Sequence, residues 1–171
     1  MAHELYTRTN QKIYFAGLAL ESWRRAEEKA AMNAPGLIQA EREASLFHLY
    51  GALLGLCHEI AGYYRLPSAG AARVESLLVR TADGSSSPEL AELIELAEQR
   101  DSWLGSLLQA HGALFEPPRP PAKAKTDPTL PLIEAVSVEA EQPALAREEV
   151  EAWRRALKEL ALRFRESLTE W

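Results

Sequence analysis

The sequence predicts an all-α fold: four long helices in a bundle plus one short helix, with a long Pro-rich connector before the last helix. Three observations carry this. Apolar residues recur at steps of three and four over four stretches, which is the spacing of one helix face. Each stretch is closed by Pro, Gly or a polar cluster. The stretches are similar in length, about 25 to 30 residues, or roughly 40 Å of helix, which suits elements packed side by side.

The first helix is expected over residues 9–33, with Ile13, Ala16, Leu20 and Trp23 on one face. Asn33-Ala34-Pro35-Gly36 should end it, because a residue before Pro avoids helical geometry and Gly frees the backbone. The second is expected over residues 37–65. Leu46, Tyr50, Leu53, Cys57, Ile60 and Tyr64 form a heptad-like seam, and Phe47, Leu49, Leu54 and Leu56 fill the other faces. A helix apolar nearly all round belongs in the middle of a bundle. Leu66-Pro67-Ser68-Ala69-Gly70 breaks the chain; the short helix follows over residues 71–80, and residues 83–87 read as an exposed loop.

The third long helix should start at Ser87, with Pro88 at the first helical position, a favoured cap. Leu90, Leu93, Ala97, Leu104, Leu108 and Phe115 give it a core face as far as Pro117. Residues 116–131 hold six prolines, which exclude a helix; polyproline II is the expected form, long enough to run the height of the bundle at about 3.1 Å per residue. Residues 132–138 alternate weakly and are expected to lie along the bundle as an extended strip. The last helix is expected over residues 143–169. Its stripe is Val150, Trp153, Leu157, Leu160, Phe164, Leu168 and Trp171, with Arg154, Arg155, Lys158, Arg163 and Arg165 elsewhere on its circumference. Residues 1–171 are read as a single helical-bundle domain with the connector, 116–131, inside it.

Composition excludes several roles. Hydrophobic residues at 47% and charged residues at 26% are ordinary for a globular chain. The net charge of -6 argues against non-specific binding to nucleic acid or anionic membranes, so neither is an expected partner. A single cysteine, Cys57, permits no disulfide within one chain and fits a reducing, cytoplasmic setting. The N-terminus lacks a basic start and apolar run, so no secretory signal is expected. Residues 46–64 contain His48, His58 and Glu59, which suit a buried core helix better than a membrane span.

Five constellations could carry function. On the second helix, Ala44, His48, Gly51, Gly55, Glu59 and Gly62 fall at three- and four-residue steps. Each interior Gly costs about 1 kcal/mol against Ala. Close approach of another helix accounts for such a stripe; the sharper reading is a partner or ligand groove with His48 and Glu59 at its ends. Second, bundle metal sites favour Glu-x-x-His, but the residues three before His48, His58 and His111 are Ser45, Gly55 and Leu108. No metal and no cofactor is expected. Third, Leu20-Glu21-Ser22-Trp23-Arg24-Arg25-Ala26 echoes Val150-Glu151-Ala152-Trp153-Arg154-Arg155-Ala156. Two similar amphipathic helices explain the echo; alternatively Trp23, Arg24, Trp153 and Arg154 mark a partner surface, since Trp and Arg dominate interface hot spots. Fourth, Pro117-Pro118-Arg119-Pro120-Pro121 is either a stiff spacer or a ligand for an aromatic groove.

The fifth is Arg42 and His48, separated by five residues, which resembles the short motif of the HEPN superfamily of helical-bundle ribonucleases. In that family the Arg and His act across a dimer on the RNA backbone. This chain carries the pair on its second long helix, whereas the family places it near a later one.

The stretch Tyr6-Thr7-Arg8-Thr9-Asn10-Gln11-Lys12-Ile13-Tyr14-Phe15-Ala16-Gly17-Leu18 is similar to the opening of a family of small bacterial proteins of unknown function. The resemblance is specific there and vague after Tyr64. It implies a bacterial origin and transfers no catalytic residue. The expectation is therefore a non-enzymatic intracellular bundle that binds a protein partner. The alternative is a helical-bundle enzyme, a HEPN-like ribonuclease or a metal-dependent hydrolase.

Overall fold

A computed structural model describes residues 2–81, 87–117 and 144–169, with side chains from residue 4 onward. The described residues are helical with no strand: α1 (Ala2–Lys29), α2 (Ala34–Tyr63), α3 (Pro88–Glu98), α4 (Trp103–Ala113) and α5 (Arg147–Thr169). The Pro-rich connector lies outside them from residue 118, as does the extended strip expected over 132–138.

Helix α2 is the centre. Leu49, Leu53, Leu56, Cys57 and Ile60 are fully enclosed. α1 lies along it as the most extensive pairing and contributes Ile13, Ala16, Leu20 and Trp23. α5 adds Val150, Trp153, Leu157 and Phe164 to the same core. α3 and α4 close it with Leu90, Leu93, Leu104 and Leu107.

The ends of the long helices have local causes. α1 begins before the expected residue 9 and ends at Ala30, whose φ is 44°. α2 ends in a Schellman turn: Leu66 N–H donates to the Ala61 carbonyl at 2.8 Å and Arg65 N–H to Gly62 at 3.1 Å. Arg65 takes the left-handed position with φ 52°, where Gly is usual.

Two expected elements differ. The helix expected over residues 71–80 is one 3-10 turn, Val74–Ser76. Its segment is held by side chains of α2. Tyr50 Oη accepts from Val74 N–H at 3.1 Å and donates to Glu75 at 2.8 Å, and His58 Nε2 donates to the Ala71 carbonyl at 2.7 Å. Val74 and Leu77 thereby reach the core. The third long helix is two helices, α3 and α4, joined by a turn over 99–102. Ser102 makes the break. Its Oγ caps Gly105 N–H at 2.9 Å and donates to the Leu96 carbonyl. Gly105 completes it, since a Cβ there would collide with the Gln99 carbonyl. A Ser three residues ahead of a Gly is a cap signature that continuous apolar periodicity hides.

The glycine stripe of α2 faces α1. A Cβ on Gly55 would sit 2.6 Å from Thr9 Oγ1 and 3.3 Å from Thr9 Cα, while one on Gly51 would meet only the Lys12 side chain at 3.3 Å. Thr9 is buried, whereas Lys12 is long and can move. The two glycines therefore differ in sign. Gly51→Ala is expected to stabilise by about 1 kcal/mol through helix propensity, and Gly55→Ala to give no gain, with Gly55→Leu destabilising by about 1 to 3 kcal/mol. Arg65→Gly should stabilise by about 1 kcal/mol by relieving the left-handed residue. Thermal melts of the four variants test all four signs; a higher melting temperature for Gly55→Leu would refute the close contact.

Candidate functional site

The candidate site is the surface between α1 and α5. Tyr6, Asn10, Tyr14 and Leu18 stand four residues apart on α1, so they form one row along the helix. Glu151, Arg154, Lys158, Leu162 and Arg165, at steps of three and four, form the facing row on α5. The helices run antiparallel: Arg165 meets the start of α1, Arg154 its middle, and Arg147 pairs with Glu27 near its end at 2.9 Å.

Three arginines fix the seam. Arg165 makes a two-pronged pair with Glu59 of α2, both contacts at 2.9 Å. It also donates to Asn10 Oδ1 at 3.0 Å and stacks 4.1 Å from the Tyr6 ring centroid. Arg154 crosses α1 where Gly17 leaves room. A Cβ at Gly17 would be 2.7 Å from Arg154 Nη2, and Arg154 Nε donates to the Ile13 carbonyl at 3.1 Å. Its Nη1 donates to Glu151 at 3.1 Å. A helical Ile13 carbonyl already serves its own helix, so this bond uses the second lone pair.

Two depressions lie along the seam, divided by Tyr14 and Arg154, which line both. The one nearer the start of α1 holds about 310 Å³; Ile13 and Ala161 form its floor, and Tyr6, Tyr14 and Leu162 its walls, with Asn10, Arg154, Lys158 and Arg165 as the polar groups. The other holds about 440 Å³ and has Leu18, Glu21, Arg24, Arg147, Glu151 and Arg155 around it. Their electrostatics differ. The second has four cations, Arg24, Arg147, Arg154 and Arg155, against two carboxylates, Glu21 and Glu151, and the Arg24 hydrogen bond holds the Glu21 carboxyl down at about 2. The first has, among the described residues, three cations and no carboxylate in its lining.

Exposure singles out this seam. Tyr6 (42%), Tyr14 (60%), Leu18 (50%) and Leu162 (49%) are all large apolar side chains left open to solvent, and all four line it. Isolated exposed apolar residues are ordinary; four along one groove are not. A second aromatic surface joins α2 to α4. His111 stacks on Tyr50 at 3.9 Å between centroids, with Phe47 and Phe115 edge-on to it.

The residues expected to carry function divide between core and surface. Trp23 and Trp153 are buried, while Arg24 and Arg154 beside them reach the seam. His48 is half-buried, edge-on to Phe15 at 5.4 Å. Gly51 and Gly55 face α1, and Glu59 reaches the seam only through Arg165. Arg42 lies over the Trp23 ring at 5.1 Å, so it and His48 touch α1 eight residues apart, roughly 12 Å along a helix. The Cys57 thiol is pushed up to about 12 by burial and stays protonated at neutral pH. Among the described residues, no three His, Cys, Asp or Glu side chains come together to hold a metal, and no helix is long and apolar enough to cross a membrane.

Sequence reasoning missed Tyr6, Tyr14, Leu18, Lys158, Leu162 and Arg165 as site residues. The signal was the row of bulky apolar residues four apart on α1, off the core face that the periodicity search selects.

A family model described as a family of unknown function (DUF6586) matches residues 1–171. No curated protein and no solved structure matches the chain.

Burial lowers the pKa of His48 and of His111, with Lys12 adding to the effect at His48. Folding thus disfavours their protonation. Their contribution is present above the ordinary histidine value of 6.5 and is lost as pH falls through the lowered folded values. Denaturant titrations at about pH 7.5 and about pH 5.5 should give a lower midpoint at the acid value. The double variant His48→Gln, His111→Gln should shrink that difference; an unchanged difference would assign the acid loss to other groups.

Proposed function

The chain belongs to that family of unknown function, so its role has to be read from its own surface, and we propose that it is a non-enzymatic cytoplasmic bundle that binds a protein partner through the groove between α1 and α5. The observation that carries this is the alignment of Tyr6, Tyr14, Leu18 and Leu162 along one groove whose arginines are already held in place. Anchored cations lose little freedom on binding, and aromatic anchors beside arginine are the usual makings of an interface hot spot.

Several groups that chemistry would draw on make structural contacts, which supports the non-enzymatic reading. Arg42 covers Trp23, His58 is bonded to the Ala71 carbonyl, Glu59 is locked to Arg165, and Cys57 keeps its proton. The single cysteine favours a reducing compartment.

A photo-crosslinking side chain placed at Tyr14 in the native cell tests the reading. It should give one dominant protein adduct, and Leu162→Glu should abolish that adduct while leaving the melting temperature within a few degrees. The same crosslinker at Val79, equally exposed but away from the groove, serves as the control. Equal adducts from both positions, or none from Tyr14, would remove the groove as the docking surface.

A further inference from the structure

We infer that the partner segment seated in this groove is acidic and amphipathic, with an apolar side chain in the 310 Å³ depression and carboxylates reaching Lys158 and Arg154. This rests on the groove being the docking surface. The argument is one of charge. The chain carries 25 acidic residues against 19 basic and is negative overall, yet among the described residues the depression beside Tyr6 and Tyr14 is lined by three cations and no carboxylate. Positive ground on an acidic protein has a specific cause, and the pairing of each cation supplies it.

Arg165 is neutralised by Glu59, which approaches from beneath on α2, so its charge is balanced while its stacked face still walls the site with Tyr6. Arg154 shares Glu151 with Arg155, so two guanidiniums divide one carboxylate and one positive charge is left over. Lys158 adds a second. It is exposed and makes no ion pair among the described residues. Among the described residues the net excess is therefore two positive charges, set one turn apart on α5. Between these cations and the opposite wall lie Ile13, Ala161 and Leu162, an apolar floor and edge. A carboxylate alone would satisfy the cations and leave that floor wet. An apolar side chain alone would cover Lys158 and strip its water without compensation. A segment bearing both, at helical spacing, meets both demands, in the manner of an amphipathic helix laid into a groove. The depression lies at the small end of binding-pocket sizes and accommodates one large side chain.

The same crosslinker at Tyr14 decides it. Lys158→Glu should lower the adduct yield about tenfold, and Lys158→Gln should lower it less, because reversal adds repulsion to the lost attraction. Raising the salt should weaken the parent adduct and leave the residual Lys158→Glu adduct nearly unchanged. Sequencing of the crosslinked partner peptide should show Asp or Glu interleaved with apolar residues. If the adduct persists unchanged in Lys158→Glu, or the peptide is neutral or basic, the acidic partner is wrong while the groove remains a docking surface. A nucleic acid, a lipid or a second copy of this chain as the crosslinked species would likewise overturn it. Absence of any Tyr14 adduct would overturn both readings together. Melting of Lys158→Glu beside the parent guards against a folding artefact; Lys158 is exposed, so the two should melt alike.

Discussion

The structure depends on one constraint: α2 is apolar nearly all round over residues 45–61, and in that stretch only Phe47 is exposed. Gly55, Ala52, Leu49, Cys57 and Ala61 are all buried and, at 3.6 residues per turn, spread around most of the circumference, so neighbours are needed on most sides. α1 takes one side, where Gly55 lets Thr9 approach. α5 takes another, α3 and α4 a third, and the Val74–Leu77 segment fills the remainder. Each neighbour is amphipathic because each has one α2 face to cover and one face left for water. The seam between α1 and α5 follows from this arrangement, as two helices laid against the same central helix must meet along a line.

The ion pairs on that line are unequal. Several pairs among the described residues are exposed on both sides, such as Arg80 with Glu98, and contribute about 0 to 1 kcal/mol each. Arg165 and Glu59 are different, with side chains only 16% and 10% exposed. Removing one partner from a pair so largely enclosed costs more than removing one from an exposed pair, because the other charge is left with little compensation. Asn10 and Tyr6 complete the contact, so three helices converge on one guanidinium. Arg165 thus fixes the register of α5 against α1, and with it the spacing of the groove walls.

Periodicity made the all-α fold legible, along with the central place of α2 and the apolar stripe of α5. It failed where a local hydrogen bond overrode a continuing pattern. Ser102 ends α3 and starts α4 although apolar residues recur on both sides, and Tyr50 draws residues 71–80 into an extended tether with a single turn. The site was half legible. The echo around Trp23 and Trp153 lies on the two helices that line the candidate groove, but its tryptophans are core and its arginines are surface. The deciding residues were hidden because an exposed tyrosine reads like a buried one until the helix has been rotated against its neighbour. Tyr14 and Leu162 gain meaning from facing each other across 148 positions of sequence, a relation that no local window contains.

That separation bears on how the surface comes into being. α1 and α2 form a hairpin through a short turn and close at little entropic cost, while the contacts of Arg165 with Asn10 span 155 positions and those of Arg147 with Glu27 span 120. Loop-closure entropy therefore favours a sequence of events in which the hairpin assembles early and α5 arrives late. Until it does, Glu59 has no guanidinium and the α1 row of Tyr6, Asn10, Tyr14 and Leu18 has no opposite wall. The groove is a property of the completed fold and of no fragment, so whatever docks there reads out, by the act of docking, that the chain has finished folding.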